Sequence, residues 1–224
     1  MQVDPVALTA ELIRCPSVTP DEGGAIVLLE TLLGQAGFAC TRIRRGGVEN
    51  LYARWGSVAP VFAFAGHTDV VPVSPDGWQR DPFGGELVGT GDEAEIWGRG
   101  AVDMLNLTSS MAVAFKHIVT SGARYPGDII YFAVADEEAG GRHGAEVLVR
   151  DEWDALKCDY VLTEFGGFAH HTPKGSTLLV TTAEKGLGWR RLRVKGTPGH
   201  GSAPLGADNA LIKAAEVVRR ISEY

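Results

Sequence analysis

The 224-residue sequence is poor in three things, and each shortage excludes a class. It has three cysteines, Cys15, Cys40 and Cys158, odd in number, far apart and without a CxxC pair. That argues against a disulfide scaffold and fits a reducing, cytoplasmic compartment. It has no apolar run approaching the ~20 residues that cross a bilayer. Its opening stretch, MQVDPVALTAELIRC, carries acids early and lacks the basic-then-apolar pattern of a secretory leader. No membrane partner is expected. Positive charge is also short: 21 Lys and Arg stand against 28 Asp and Glu, a net charge of -7. A nucleic-acid partner, which requires clustered Lys and Arg, is not expected either. Repeats and low-complexity tracts are absent.

What the sequence does have is 45% hydrophobic residues, enough for a true core. Asp4-Pro5 reads as a cap and first helical position for a helix to about Arg14. A second helix runs from about Glu22 to a glycine stop at Gly37. FACTRIRR, NLYARW and VFAFAG read as strands. The long Gly- and Pro-rich segment from Val70 to Gly100 contains a hairpin, GELVGTGDEAEIWG, turning near Gly91-Asp92. NLTSSMAVAFKHIVTSG is a helix, DIIYFAVADEE a buried strand, GAEVLVRDEW a short helix and CDYVLTEFG a further strand. This alternation predicts an α/β fold with a mostly parallel sheet and helices on both faces.

The texture changes near residue 182. STLLVTTAEKG and GWRRLRVKG alternate apolar and polar residues, as antiparallel strands with one wet face do. GTPGHGSAP reads as a loop. DNALIKAAEVVRRISEY reads as a helix with Leu211, Ala214, Ala215, Val218 and Ile221 on one face. The expected division is a metal-binding catalytic domain over residues 1–182 and the start of an α+β lid domain over residues 183–224.

Three of the apolar strands end in potential metal ligands. VFAFAG ends in His67 and Asp69, DIIYFAVA in Asp136, Glu137 and Glu138, and CDYVLT in Glu164. Asp103 of GRGAVDM stands just before a helix. In open α/β sheets, ligands bind at the carboxyl ends of the strands. Carboxylates gathered there repel one another, and a bound dication is the simplest offset. Histidine with carboxylates and no cysteine suits zinc, manganese or cobalt. Each stretch alone has a plainer reading, as a turn histidine, a solvated helix start or an N-cap. Their coincidence at one sheet edge does not.

The ordered set GHTDVVP, GRGAVDM, ADEEAGG, TEFGG and GTPGHGSAP resembles a family of dinuclear-zinc amidohydrolases and exopeptidases. That family includes aminoacylase, carboxypeptidase S, acetylornithine deacetylase and succinyl-diaminopimelate desuccinylase; DEEAGGRHGAEVL and TEFGG look most like the carboxypeptidase S branch. The resemblance implies two divalent metal ions, zinc first, with cobalt or manganese possible. It implies that His67 binds one metal, Asp103 bridges both, Glu138 binds the second and Glu164 the first. Glu137 is then the general base, Asp69 orients His67, and His200 of the lid polarises the substrate carbonyl. The implied substrate is a short peptide or an N-acyl amino acid, with a possible homodimer through the lid domain.

Two departures stand out. Leu105 and Asn106 replace the lysine and glycine usual after DM in that family. The family's last metal ligand is a histidine in a chain about twice this length, so the sequence reads as the N-terminal portion of a longer enzyme. A non-catalytic binding protein lacking that ligand is the alternative, and a two-metal aminopeptidase of another family would lack GTPGHGSAP. His117, His143, His170 and His171 read as surface or core-edge histidines.

Overall fold

The computed structural model describes residues 4–74, 76–122, 125–164, 169–183, 185–186 and 188–224. The chain divides into two compact units, Met1–Gly166 and Gly167–Tyr224.

In the first unit, helix α1 (Pro5–Ile13) starts where the sequence places it. Asp4 accepts the Val6 N–H at 3.1 Å, and Pro5 fills a position whose N–H would have no partner. Helix α2 (Ala25–Gln35) begins three residues later than expected. Glu22 lies outside it, and its carboxylate accepts the Ile26 N–H at 2.9 Å. Gly37, at φ 97°, follows its end in the left-handed region that glycine tolerates.

Strands β1 (Ala39–Arg45), β2 (Val48–Trp55) and β3 (Val61–His67) come next. The expected hairpin follows as β4 (Glu86–Val88) and β5 (Glu95–Trp97), joined through a 3-10 turn at Gly91–Glu93. Helix α3 (Leu105–Thr120), strand β6 (Asp128–Val134), helices α4 (Ala145–Asp151) and α5 (Trp153–Leu156) and strand β7 (Tyr160–Leu162) complete the unit. The main sheet has the order β1-β2-β6-β3-β7. β2 pairs antiparallel with both β1 and β6, whereas β6–β3 and β3–β7 are parallel. Four strands therefore run one way and β2 alone runs against them.

β6 is buried along its whole length, as a central strand covered on both faces must be. One face packs Leu51, Phe64, Ile129 and Tyr131 against Leu12, Leu29 and Phe115 of α1, α2 and α3. The other packs Ala63, Ile130, Phe132 and Val134 against Leu148 of α4 and Leu156 of α5. The alternation along β6 thus feeds two cores. β7, at the sheet edge, is short and exposed.

The parallel register gathers the strand ends. His67 pairs with Val134, and Phe64 pairs with Leu162. The residues just past β3, β6 and β7 therefore emerge at one edge of the sheet.

In the second unit, β8 (Ala169–Thr172) and β9 (Gly175–Leu178) form an antiparallel pair. Helix α6 (Ala210–Ser222) is capped by Asn209, which accepts the Leu211 N–H at 2.9 Å. Leu211, Val218 and Ile221 on its apolar face are exposed. The expected strand GWRRLRVKG does not form: residues 188–196 have no regular structure, and β9 pairs instead with AHHT. Alternation makes a strand only where a partner lies alongside, and among the described residues none pairs with this segment.

Candidate metal centre

β3 delivers His67, which is 1% exposed. Its backbone is held on both sides by α3. The His67 N–H points to Met104 Sδ at 3.3 Å, and the Thr108 hydroxyl donates to the His67 carbonyl at 2.9 Å. Tyr131 of β6 in turn donates to the Thr108 carbonyl at 2.7 Å. The residue before Met104 is Asp103, so one helix start positions both the histidine and an acid. Periodicity does not reveal this buttress. The only hint in the sequence is a hydroxyl residue, Thr108, on the helix face that also buries Leu105 and Ala112.

The imidazole is oriented by Asp69, though not through its carboxylate. His67 Nδ1 lies 2.8 Å from the Asp69 carbonyl oxygen and 3.6 Å from its carboxylate. A carbonyl can only accept, so Nδ1 carries the proton and Nε2 presents a lone pair. The Asp69 carboxylate instead accepts the N–H groups of Glu137 and Glu138, at 3.2 and 3.1 Å. It thereby ties the acidic loop after β6 to the end of β3. That loop is closed by Asp136, whose carboxylate accepts the His143 N–H at 2.7 Å and whose carbonyl accepts the Gly141 N–H at 2.8 Å. Gly144 lets this carboxylate approach: a Cβ there would sit 2.3 Å from Asp136 Oδ1.

Three carboxylates converge on the free nitrogen. Asp103, Glu164 and Glu137 stand 3.2, 3.4 and 3.7 Å from His67 Nε2. One ligand atom each from His67, Asp103 and Glu164 lies within 4.8 Å of the others. The Glu138 carboxylate is outside that trio but close enough for the Asp103 charge to act on it. Beyond Glu164, residues 165–167 of TEFGG lie outside the described residues.

The electrostatics record the crowding. Burial pushes the Asp69 and Glu137 carboxyl pKa values up, and neighbouring carboxylates push Glu137 further. Glu138 rises through burial and then through Asp103. Burial alone would lower the His67 pKa, but Asp69, Glu164 and Glu137 outweigh it and the net shift is upward. The shifts of His67, Glu137 and Glu138 each carry a contribution from neighbouring carboxylates, whereas that of Asp69 comes from burial alone.

The residues fit a divalent metal. His67 Nε2 is buried without a hydrogen-bond partner among the described residues, and carboxylate oxygens face its lone pair. A single proton offsets one of the three carboxylate charges around Nε2, whereas a dication offsets two and accepts the lone pair.

His200 lies in the second unit, on the exposed loop before α6. Its Nδ1 is 2.7 Å from the Ser202 hydroxyl, and the Ser202 N–H donates to it at 3.2 Å. His170 and His171 stand exposed in β8, the latter 2.8 Å from the Ser176 hydroxyl. His143 meets the β1–β2 turn at Gly46.

Known proteins share this arrangement of the chain. The succinyl-diaminopimelate desuccinylase of Dinoroseobacter shibae is 40% identical over 222 residues, covering 98% of this chain and 56% of that protein. The enzyme of the same name from Cereibacter sphaeroides is 38% identical over 227 residues, covering 100% of this chain and 58% of that one. The chain thus spans somewhat over half the length of these curated relatives. Among solved structures, a Staphylococcus aureus tripeptidase superposes with TM-score 0.64 at 18% identity, over 98% of this chain and 57% of that one. A metallo-carboxypeptidase from Sulfolobus solfataricus gives TM-score 0.62 at 24% identity, over 77% and 39%. These two speak to the fold alone. The sequence pattern of one family runs through β3, the acidic loops, the GTPGHGSAP loop and into α6, from residue 63 to residue 221, and the chain belongs to that family, peptidase family M20/M25/M40.

Proposed function

We propose that the protein hydrolyses the amide bond of an N-acyl amino acid or short peptide with the help of two divalent metal ions, zinc first and cobalt or manganese as alternatives. The observation that carries this reading is the buried, unpartnered Nε2 of His67 with carboxylates of Asp103 and Glu164 around it. His67 and Glu164 would hold one ion, Glu138 the other, and Asp103 would bridge them. When bound, such ions supply positive charge that acidifies water and stabilises a developing oxyanion.

The chain's own groups do the rest. The Glu137 carboxylate would take the proton of the attacking water and hand it to the departing amine. Its raised pKa brings it closer to the pH at which a base must also become an acid. His200 would donate to the substrate carbonyl oxygen as charge builds there. A homodimer through the second unit fits the exposed apolar face of α6. Because the curated relatives carry the name succinyl-diaminopimelate desuccinylase, an N-succinylated diamino acid is the first substrate to try, before dipeptides and other N-acyl amino acids.

The test uses the whole protein loaded with zinc, cobalt or manganese on that substrate panel. Glu137→Ala is expected to keep its metal by elemental analysis and to lose roughly 100- to 10,000-fold in turnover, the usual contribution of a general base. Full activity in Glu137→Ala would remove the base assignment. A dialysed protein that retains no divalent ion under any loading would remove the metal reading altogether.

A further inference from the structure

Ser202 contacts His200 twice, and the two contacts differ in what they can say. The Ser202 hydroxyl, 2.7 Å from His200 Nδ1, could donate or accept. The Ser202 backbone N–H, 3.2 Å from the same nitrogen, can only donate. If the backbone bond forms, Nδ1 must be an acceptor, and the hydroxyl must then turn its own proton toward the same lone pair. The turn that makes this possible is closed by the Ala203 N–H on the His200 carbonyl at 3.0 Å. This turn sets the Ser202 N–H against the ring. The remaining nitrogen of a neutral ring, Nε2, must then carry the proton.

We propose that Ser202 is a positioning residue that holds neutral His200 as its Nε2–H tautomer, so that the ring presents a hydrogen-bond donor. His200 lines a cavity of about 490 Å³ together with Thr197, Pro198, Pro204 and Asn209, room enough for an acyl group. A donor at Nε2 is what a carbonyl oxygen gaining negative charge requires. A lone pair there would repel it. What the donor is for rests on the proposed amide hydrolysis; the tautomer itself does not.

The experiment is long-range proton–nitrogen NMR on the intact chain above the titration of its histidines, without metal or substrate. The His200 signals are assigned by their loss in His200→Gln. In the unaltered chain, His200 Nε2 is expected to show the shift of a protonated ring nitrogen and Nδ1 that of an unprotonated one. Ser202→Ala retains the backbone donor but loses the hydroxyl. The ratio of Nε2–H to Nδ1–H tautomers should fall roughly 2- to 10-fold, the worth of one net hydrogen bond. Ser202→Pro removes both donors and should lower the ratio further, and Ser202→Thr should restore it. An Nδ1–H ring in the unaltered chain overturns the proposal. So does a ratio that Ser202→Ala and Ser202→Pro both leave unchanged. Because no substrate is present, this result can fail while amide hydrolysis stands, and it can hold while amide hydrolysis fails.

Discussion

His67 and His200 are each followed, two residues on, by a polar residue that touches Nδ1, and the chain uses that neighbour in opposite senses. At His67 the backbone carbonyl of Asp69 accepts from Nδ1, leaving a lone pair on Nε2. At His200 the backbone N–H of Ser202 donates to Nδ1, leaving a proton on Nε2. The first ring is buried, clamped by α3 and surrounded by carboxylates. The second is exposed on a turn. The same side chain becomes a Lewis base in one place and a hydrogen-bond donor in the other, and in both the backbone two residues downstream decides which. A short-range device suffices for the tautomer. On the proposed reading, only the buried ring needs long-range support, because a metal ligand must be aimed at a fixed point in space.

The comparison breaks most readily on a pair of substitutions. His67→Ala should reduce metal affinity by more than the ~10–100-fold typical of losing a mere supporting partner, as read by metal titration. His200→Ala should leave metal content unchanged and lower turnover roughly 100- to 1000-fold, the scale for one oxyanion donor. If His200→Ala sheds metal, the two roles are not separate. Asp69→Asn sharpens the contrast between carbonyl and carboxylate. An amide can accept only one of the Glu137 and Glu138 N–H groups that the carboxylate now holds. A loss of about 1–3 kcal/mol in unfolding free energy is expected from the unpartnered donor. Metal affinity should fall while the His67 tautomer, held by the carbonyl, stays as it is. Gly144→Ala forces a methyl against Asp136 Oδ1 and Val134. Denaturant unfolding should show a loss of about 1–3 kcal/mol, as overpacking does, with the His200 signals unmoved. The smallest effect belongs to Thr108→Val, which removes the hydroxyl from the His67 carbonyl. About 1 kcal/mol of stability should go, together with a slight weakening of metal binding at His67 and no change in the His200 signals.

The features legible in the sequence are those whose cause is local. Asp4-Pro5 caps α1 because a cap needs only its own helix. The acids after β6 and β7 fall beside His67 because parallel strands deliver their ends to one edge, a rule that needs element order and nothing finer. GWRRLRVKG failed as a strand because alternation describes one face and says nothing of the partner. AHHT pairs with β9 across a tight turn at Pro173-Lys174, and Gly175, at φ 126°, opens β9. The part of the centre that escaped the sequence is its scaffolding: Met104 and Thr108 on the His67 backbone, and the Asp69 carboxylate on the N–H groups of Glu137 and Glu138. These contacts join residues from different elements, and no period or spacing encodes them.

The exposed edge strand β7 is where a bound ion would be felt most. Glu164 sits two residues past a three-residue strand that is solvated on its outer side. Of the groups around Nε2, Glu164 is the one that follows the short, exposed edge strand, the part of the sheet most ready to fray. A cation joining Glu164 to His67 would therefore act mechanically as a clasp, fastening the loosest strand to one of the firmest. Ligand free energy would then appear mainly as slowed amide exchange in β7, and only faintly in β6, which is already shut.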